Sequence, residues 1–363
     1  MIHLKRGNLL EASAEALVNT VNCVGVMGKG IALQFKQAYP ENYKIYKKVC
    51  DQHALKTGMM LVHDRGGLEK SADPPRYIIN FPTKNHWRGK SKMADIESGL
   101  QALIEEIHTR EIKSIAIPPL GCGNGGLNWN DVRTRIEQAF AVLPDVEVQL
   151  FAPGNAPTAD KIPIRTKKPN MTQGTALIVF LMALYKVMNY KIGLLEIQKL
   201  LYFLQASGVP LKLDFKKERY GPYAEAVHHM LQRMAGHYIE GYGDRADIKT
   251  ELTLSPNAIS EAKKWLEQQE ERELLSSHLT RIRELAEGFE SPYGMELLAS
   301  THWVFQEDGE TAKDPEKAIA ALHAWNERKR KQLKPEHIIV AWDHLRELGW
   351  VNLPSSARVT GSH

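Results

Sequence analysis

Six short β-rich runs alternate with amphipathic helical stretches over the first 155 residues, and this alternation constrains the fold more than any other feature of the chain. The runs are IHLKR (2–6), ALVNTV (16–21), MMLVHD (59–64), RYIINF (76–81), SIAIPPL (114–120) and VEVQLFA (146–152). Between them, 30–38, 41–53, 92–109 and 130–142 carry apolar residues at helical spacing. Strands that alternate with helices predict an α/β three-layer unit, a sheet with helices on both faces. Ligand-binding loops are then expected beyond the carboxyl ends of the strands.

The pattern changes after residue 152. The text PGNAPTADKIPIRTKKPNM (153–171) has four prolines and no sustained period, which predicts an interdomain linker. Beyond it 173–188, 194–207, 222–235, 256–287, 292–304, 314–330 and 335–348 read as helices, with a short strand at 250–254. The expected organisation is an α/β domain over 1–155, a linker over 156–171, a mainly α-helical domain over 172–355 and a disordered tail over 356–363. Two cores suit a chain of 363 residues.

The net charge of +4 is too small to imply a nucleic-acid or membrane surface, but its distribution is uneven. Between Glu251 and Glu310 there are 13 acidic and 5 basic residues, including Glu267, Glu270, Glu271 and Glu273. Such a stretch is ordinarily a solvated helix face, and it also suits a basic partner. Three cysteines without a CxxC pair argue against a disulfide framework and a thiolate zinc site. The fourteen histidines form no HExxH or paired-ligand spacing, so chemistry without metal or cofactor is expected. The amino terminus lacks a signal pattern, and the most apolar stretch, ALIVFLMALY (176–185), is about half of a membrane span. A cytoplasmic protein without a membrane partner is the expectation.

Three segments carry the chemistry. In NTVNCVGVMGKGIAL (19–33) two asparagines precede a glycine loop that opens a helix, where backbone N–H groups favour an anion. The segment is no Walker loop, because Lys29 is followed by Gly30. The second loop, GCGNGGLNW (121–129), formally fits GxGxxG, yet it follows the fifth strand instead of the first, and no acidic residue caps a following strand end. Either loop alone could be a tight turn; together they suit the two sides of one diphosphate. In INFPTKNHWRGKSK (79–92) an exposed lysine, Lys84, is flanked by His86, Trp87 and Arg88. Beside other cations and away from water, a lysine amine can lose its proton and act as nucleophile or acid/base. His86 reads as a structural or binding residue.

These elements together resemble the macrodomain family, and within it the DNA ADP-ribosyl glycohydrolase antitoxins, over nearly the whole chain and most strongly at 1–155. The resemblance implies a mixed central sheet and an ADP-ribose site. It implies that GNLLE (7–11) is the adenine-recognition strand end, where Asn8 accepts from the adenine amino group in place of the usual aspartate and Leu9 offers its backbone N–H to the ring. Asn19 and Asn22 would line the distal ribose. Met27, Gly28, Lys29, Gly30, Ile31 and Ala32 would form the first phosphate loop; Gly121, Cys122, Gly123, Asn124, Gly125, Gly126 and Leu127 would form the second. Phe151 would flank the adenine, Thr83 would line the substrate, and Lys84 would be the catalytic lysine, attacking the anomeric carbon or stabilising the departing base. Protein-deacylating members of that branch pair the lysine with an aspartate where this chain has Gly125. A looser loop there would suit a bulkier leaving group such as a nucleobase.

In the second half, QKLLYFLQ reads as core packing and YGPY (220–223) as a proline-initiated helix start. The KLLYF…YGPY pattern resembles Panacea-like antitoxin domains. That resemblance implies a toxin-neutralising module acting as a DNA mimic, for which the acidic 251–310 stretch offers a physical basis. The reading that follows is an antitoxin that hydrolyses ADP-ribose from single-stranded DNA modified on thymidine or guanosine. It would release ADP-ribose and bind the cognate DNA ADP-ribosyltransferase toxin. Removal of ADP-ribose from Glu or Asp side chains of proteins is the second reading. A non-catalytic ADP-ribose reader with a helical arm is the third.

Overall fold

In a computed structural model the chain is described at residues 1–66, 74–154, 163–187, 192–242 and 250–351. It divides into two compact units, Met1–Lys167 and Lys168–His363. Of the expected linker, 156–162 lie outside the described residues, as does the expected tail over 356–363. Where the linker is described it is attached: the Arg165 N–H donates to the Gln37 carbonyl at 2.9 Å, and Ile164 packs onto the core of the first unit.

The strands of the first unit are β1 (Ile2–Lys5), β2 (Ala16–Asn22), β3 (Leu61–Asp64), β4 (Tyr77–Lys84), β5 (Ser114–Ile117) and β6 (Glu147–Phe151). They form one sheet in the order β1-β6-β5-β2-β4-β3, parallel throughout except that β3 runs antiparallel to β4. Its helices are α1 (Gly30–Ala38), α2 (Pro40–Asp51), α3 (Met93–Thr109) and α4 (Trp129–Phe140). A sheet with helices on both faces is the fold expected from the alternation, and the antiparallel β3 makes it the mixed sheet that the resemblance implies.

Central strand β2 shows how the layers form. Alternate side chains point to opposite faces, so Ala16 and Val18 join Leu103 of α3 and Ile136 of α4, while Leu17 joins Phe35 of α1. Helix α3 lies so close that a Cβ on Gly99 would fall 2.3 Å from the Phe81 ring, a contact only glycine permits. Strand β4 is longer than its apolar run because pairing with β2 continues to Lys84 through a bulge between Val21 and Asn22.

Five parallel strands put their carboxyl ends on one edge of the sheet. Asn8 follows β1, Phe151 ends β6, the second glycine loop follows β5, the first follows β2, and Lys84 ends β4. The expected ligand contacts thus lie along that edge in the order of the strands.

The second unit contains α5 (Gln173–Val187), β7 (Ile192–Gly193), α6 (Leu194–Ala206), β8 (Lys216–Glu218), β9 (Gly221–Tyr223), α7 (Glu225–Met234), β10 (Ile239–Glu240), β11 (Glu251–Leu254), α8 (Ala258–Glu267), α9 (Arg272–Ala286), α10 (Pro292–Glu307), α11 (Pro315–Trp325), α12 (Glu327–Gln332) and α13 (Pro335–Glu347). It is mainly helical, as expected. Among the described residues no helix is long and apolar enough to cross a membrane.

Three local expectations are corrected. The 256–287 helix is two, α8 and α9, parted where Gln268, Gln269, Glu270 and Glu271 offer nothing apolar to bury. The 314–330 helix breaks at Asn326, whose side chain accepts from the Lys329 N–H and starts α12. The YGPY segment starts no helix: Gly221–Tyr223 pairs with β8, and α7 begins at Glu225. Helix α6 imposes this. Its buried Lys199 donates to the Pro222 carbonyl at 2.7 Å, and Gln198 both accepts from and donates to the Ala224 backbone at 3.1 Å. The polar members of the apolar α6 stripe therefore hold the hairpin in place.

Candidate active site

The first loop is folded by its own asparagine. Asn22 Oδ1 accepts from the Val24 N–H and the Tyr46 hydroxyl, each at 3.0 Å, while its Nδ2 donates to the Val26 carbonyl at 2.6 Å. These bonds turn the chain sharply after β2. Asn19 is fully buried: its Nδ2 donates to Asn80 Oδ1 at 2.9 Å, and its Oδ1 is buried without a hydrogen-bond partner. Met27 and Ala32 are buried in a cluster with Tyr46 and Cys50, which pins the loop from behind. Gly28 and Ile31 are half-buried, and Lys29 is exposed.

Helix α1 then starts at Gly30 (φ +64°), and no side chain caps it. Helix α4 differs, because Asn128 accepts from the Asn130 and Asp131 N–H groups and closes its amino end. An anion between the loops therefore finds its helix N-terminus at α1.

The second loop is tight. Gly121 (φ +68°) and Gly126 (φ +80°) occupy left-handed conformations, and the Leu127 N–H donates back to the Gly121 carbonyl at 3.1 Å. At Gly125 a Cβ would sit 2.2 Å from Ser91 Oγ and 2.3 Å from the Gly121 carbonyl oxygen. The expectation of a looser loop at Gly125 is thus corrected: the position is filled, and no aspartate fits there. Gly123 and Asn124 are exposed, and Cys122 and Leu127 are half-buried. The two loops approach each other, since a Cβ on Gly30 would lie 3.7 Å from Asn124 Nδ2.

Lys84 reaches from the end of β4 into this second loop. Its Nζ donates to the carbonyls of Trp87 at 3.2 Å, Gly89 at 3.3 Å and Asn124 at 3.5 Å. Three acceptors match the three N–H bonds of an ammonium, whereas a neutral amine has two. Burial first, and then the Lys90 charge, hold the Lys84 pKa below that of an ordinary lysine. The result is a cation readier than usual to give up a proton. Thr83 is buried, donating to the Val21 carbonyl at 3.5 Å.

At the other end of the edge, Asn8 Oδ1 accepts from the Leu10 N–H at 3.1 Å and caps the short 3-10 turn Leu9–Glu11. Leu9 and Phe151 belong to one buried cluster, against which Ile31 packs. Phe151 is only 7% exposed, so its ring is chiefly core.

Nearby thiols offer no nucleophile: burial pushes Cys122 up to about 11, and burial, then Cys50 and Asp95, do the same for Cys23. Among the described residues no three His, Cys, Asp or Glu side chains are grouped to hold a metal ion.

Residue reading missed several neighbours. Ser91 is buried beside Gly121 and Gly125 with its Oγ unpartnered. Lys90 lies over the second loop, its Nζ 3.3 Å from where a Gly126 Cβ would be. Asn42 and Asn80, both fully buried, complete the network behind Asn19. A polar Asn80 inside the apolar run RYIINF was a signal of the last; nothing local marked Ser91.

In the second unit Glu267, Glu270, Glu271, Glu273, Glu284 and Glu287 are exposed and form no ion pair among the described residues. Other carboxylates of the acidic stretch are engaged. Glu261 pairs with Lys168, Glu307 with Lys217, and Glu296 with Arg328 and buried Lys329.

The family model described as Macro domain matches residues 18–136. A DNA ADP-ribosyl glycohydrolase of Thermus aquaticus is 47% identical over 350 residues, covering 96% of this chain and 94% of that protein. One from Mycobacterium tuberculosis is 43% identical over 357 residues, covering 95% of this chain and 99% of the other. A DNA ADP-ribosyl transferase–DNA ADP-ribosyl glycohydrolase fusion protein of Thermosipho africanus is 33% identical over 163 residues, 42% of each chain.

Proposed function

The chain belongs to the DNA ADP-ribosyl glycohydrolase family, and from that premise we propose that it removes ADP-ribose from single-stranded DNA modified on thymidine or guanosine. The observation that carries the chemistry is the Lys84 ammonium, held by three carbonyls between the end of β4 and the second glycine loop. In that state the amine has no lone pair to attack with. Water supplies the oxygen that bonds to the anomeric carbon, the bond from that carbon to the base breaks, and Lys84 gives its proton to the departing base. The second proton of the water then returns to the amine. A cation with a lowered pKa is suited to this, being both an electrostatic partner of the leaving group and a better acid than a solvated lysine. The α1 N-terminus and the two loops hold the diphosphate, fixing the ribose against Lys84.

The helical unit neutralises the cognate DNA ADP-ribosyltransferase toxin by binding it, its unpaired carboxylates standing in for DNA phosphates. The Thermosipho relative, in which transferase and glycohydrolase share one polypeptide, supports this pairing. Both activities belong in the cytoplasm, with the DNA; three free cysteines agree with a reducing compartment.

Hydrolysis of ADP-ribosylated Glu or Asp is the weaker reading, because the filled position at Gly125 excludes the carboxylate that would partner the lysine. Incubation with ADP-ribosylated single-stranded DNA and, separately, with glutamate-ADP-ribosylated protein decides. Release of ADP-ribose from the DNA alone is expected. Release from the protein alone favours the second reading, and release from neither leaves a reader.

A further inference from the structure

The loop that holds Lys84 also carries an exposed aromatic stack with no part in the fold. The rings of His86 and Trp87 are 5.3 Å apart and inclined by 30°, and the Arg88 guanidinium lies 4.6 Å from the Trp87 ring centre. Trp87 is 45% exposed and joins none of the hydrophobic clusters. Arg88, Lys90 and Lys92 are all exposed, and none forms an ion pair among the described residues. A tryptophan in this state stabilises little in the free protein, while flat aromatic surface set among unpaired cations is what single strands bind. The stack is tied to the chemistry as well, since the carbonyl of Trp87 is one of the three that hold Lys84.

We infer that Trp87 is a stacking platform for a base neighbouring the modified nucleotide, with Arg88 and Lys92 taking the adjoining phosphates. The inference rests on single-stranded DNA being the substrate, and it adds a specificity element outside the ADP-ribose site. A base that extends the His86–Trp87 stack fixes the strand on the side of Lys84 from which the base departs. The enzyme then prefers an oligonucleotide to an isolated modified nucleoside.

The test compares the full chain with Trp87→Ala and Trp87→Tyr on two substrates, an ADP-ribosylated oligonucleotide and an ADP-ribosylated nucleoside, and measures binding of unmodified oligothymidylate by fluorescence anisotropy. Trp87→Ala is expected to raise KM for the oligonucleotide about tenfold, the scale of one lost base stack, and to collapse the preference over the nucleoside. Trp87→Tyr should restore most of it. Arg88→Ala with Lys92→Ala should flatten the salt dependence of oligothymidylate binding. Unchanged oligonucleotide KM and preference in Trp87→Ala would overturn the inference. So would an equal loss on both substrates, which would mean that Trp87 acts only through its carbonyl on Lys84. If the wild-type protein hydrolyses neither substrate, it is the proposed reaction that fails, and the anisotropy arm still decides about Trp87: about tenfold weaker binding in the alanine variant supports the platform, equal binding removes it.

Discussion

Lys84 Nζ donates to the main-chain carbonyl of Asn124 at 3.5 Å, so one side chain joins the end of β4 to the second glycine loop. The same ammonium is the proposed proton donor. Its position therefore depends on the second glycine loop, so that a diphosphate held there, as proposed, would also fix the acid.

Removing the donor should separate binding from reaction. Lys84→Ala is expected to lower kcat on ADP-ribosylated DNA by about 10²–10⁴-fold, with ADP-ribose affinity by calorimetry changed far less. The active form is the protonated one, so kcat should fall as pH rises through the Lys84 pKa, at a lower pH than an ordinary lysine would give. Lys90 contributes to that depression. Lys90→Ala should consequently move the alkaline limb of the pH–kcat profile upward; a limb that stays in place would exclude Lys84 as the titrating acid.

Gly125 makes the opposite kind of prediction, about what the site refuses. Ser91 Oγ could rotate away from a new Cβ, but the Gly121 carbonyl oxygen 2.3 Å from it is backbone. Overpacking of this kind costs roughly 1–3 kcal/mol. Gly125→Asp should therefore weaken ADP-ribose binding about tenfold or more without creating hydrolysis of glutamate-linked ADP-ribose. Such activity, appearing in the variant with binding intact, would show that the loop has room that the packing denies.

These two residues also mark how far the sequence was legible. The alternation of periods gave the sheet and its helices because parallel strands buried on both faces leave long apolar runs, and α1 begins at Gly30 as its glycine implies. Lys84 stood out by its neighbours. The role of Gly125 did not, because its constraints, the Gly121 carbonyl and Ser91, are brought against it only by the fold. YGPY was misread for the same reason. Pro222 looks like a helix start until Lys199 and Gln198, on α6, are seen to hold its carbonyl and the Ala224 backbone. Periodicity reports which face a residue belongs to, but not which backbone a buried polar group will grip.

In the helical unit, stability should fall on acidification with a recognisable contributor. His302 of α10 is 1% exposed, and its Nδ1 shares a hydrogen bond of 2.8 Å with the Tyr202 hydroxyl. Burial, against a raising backbone contact at Trp350 and with Arg281 adding to the depression, brings its pKa from 6.5 down to about 3. Above 6.5 the imidazole is neutral in both folded and unfolded chains and contributes no pH dependence. Between 6.5 and about 3 the unfolded chain takes up the proton first, so stability is lost as pH falls, by about 1.4 kcal/mol per pH unit at most. Urea melts followed by tryptophan fluorescence at pH 7 and pH 4.5 should show this loss, and His302→Gln should reduce the slope. An equal slope in the variant would assign the effect to other groups.

The acidic face gives the clearest test of the antitoxin half. Glu270, Glu271 and Glu273 flank the break between α8 and α9, exposed and without ion pairs among the described residues, beside Leu274 at 54% exposure. Carboxylates that satisfy no cation of their own chain produce a field that steers a basic cleft towards them, and such steering raises association rates by roughly 10–10³-fold at low salt. Replacing all three by lysine should leave the helical fold in place, because none of them is buried. It should slow association with the transferase by more than tenfold at low ionic strength and remove most of the salt dependence, read by surface plasmon resonance. Hydrolysis of ADP-ribosylated DNA by the same variant should be unaffected, since Lys84, the proposed acid, and both glycine loops belong to the first unit. Undiminished, salt-dependent association would move the toxin contact elsewhere, to Glu284 and Glu287 on α9 and the segment following it, where the corresponding reversals would be made next.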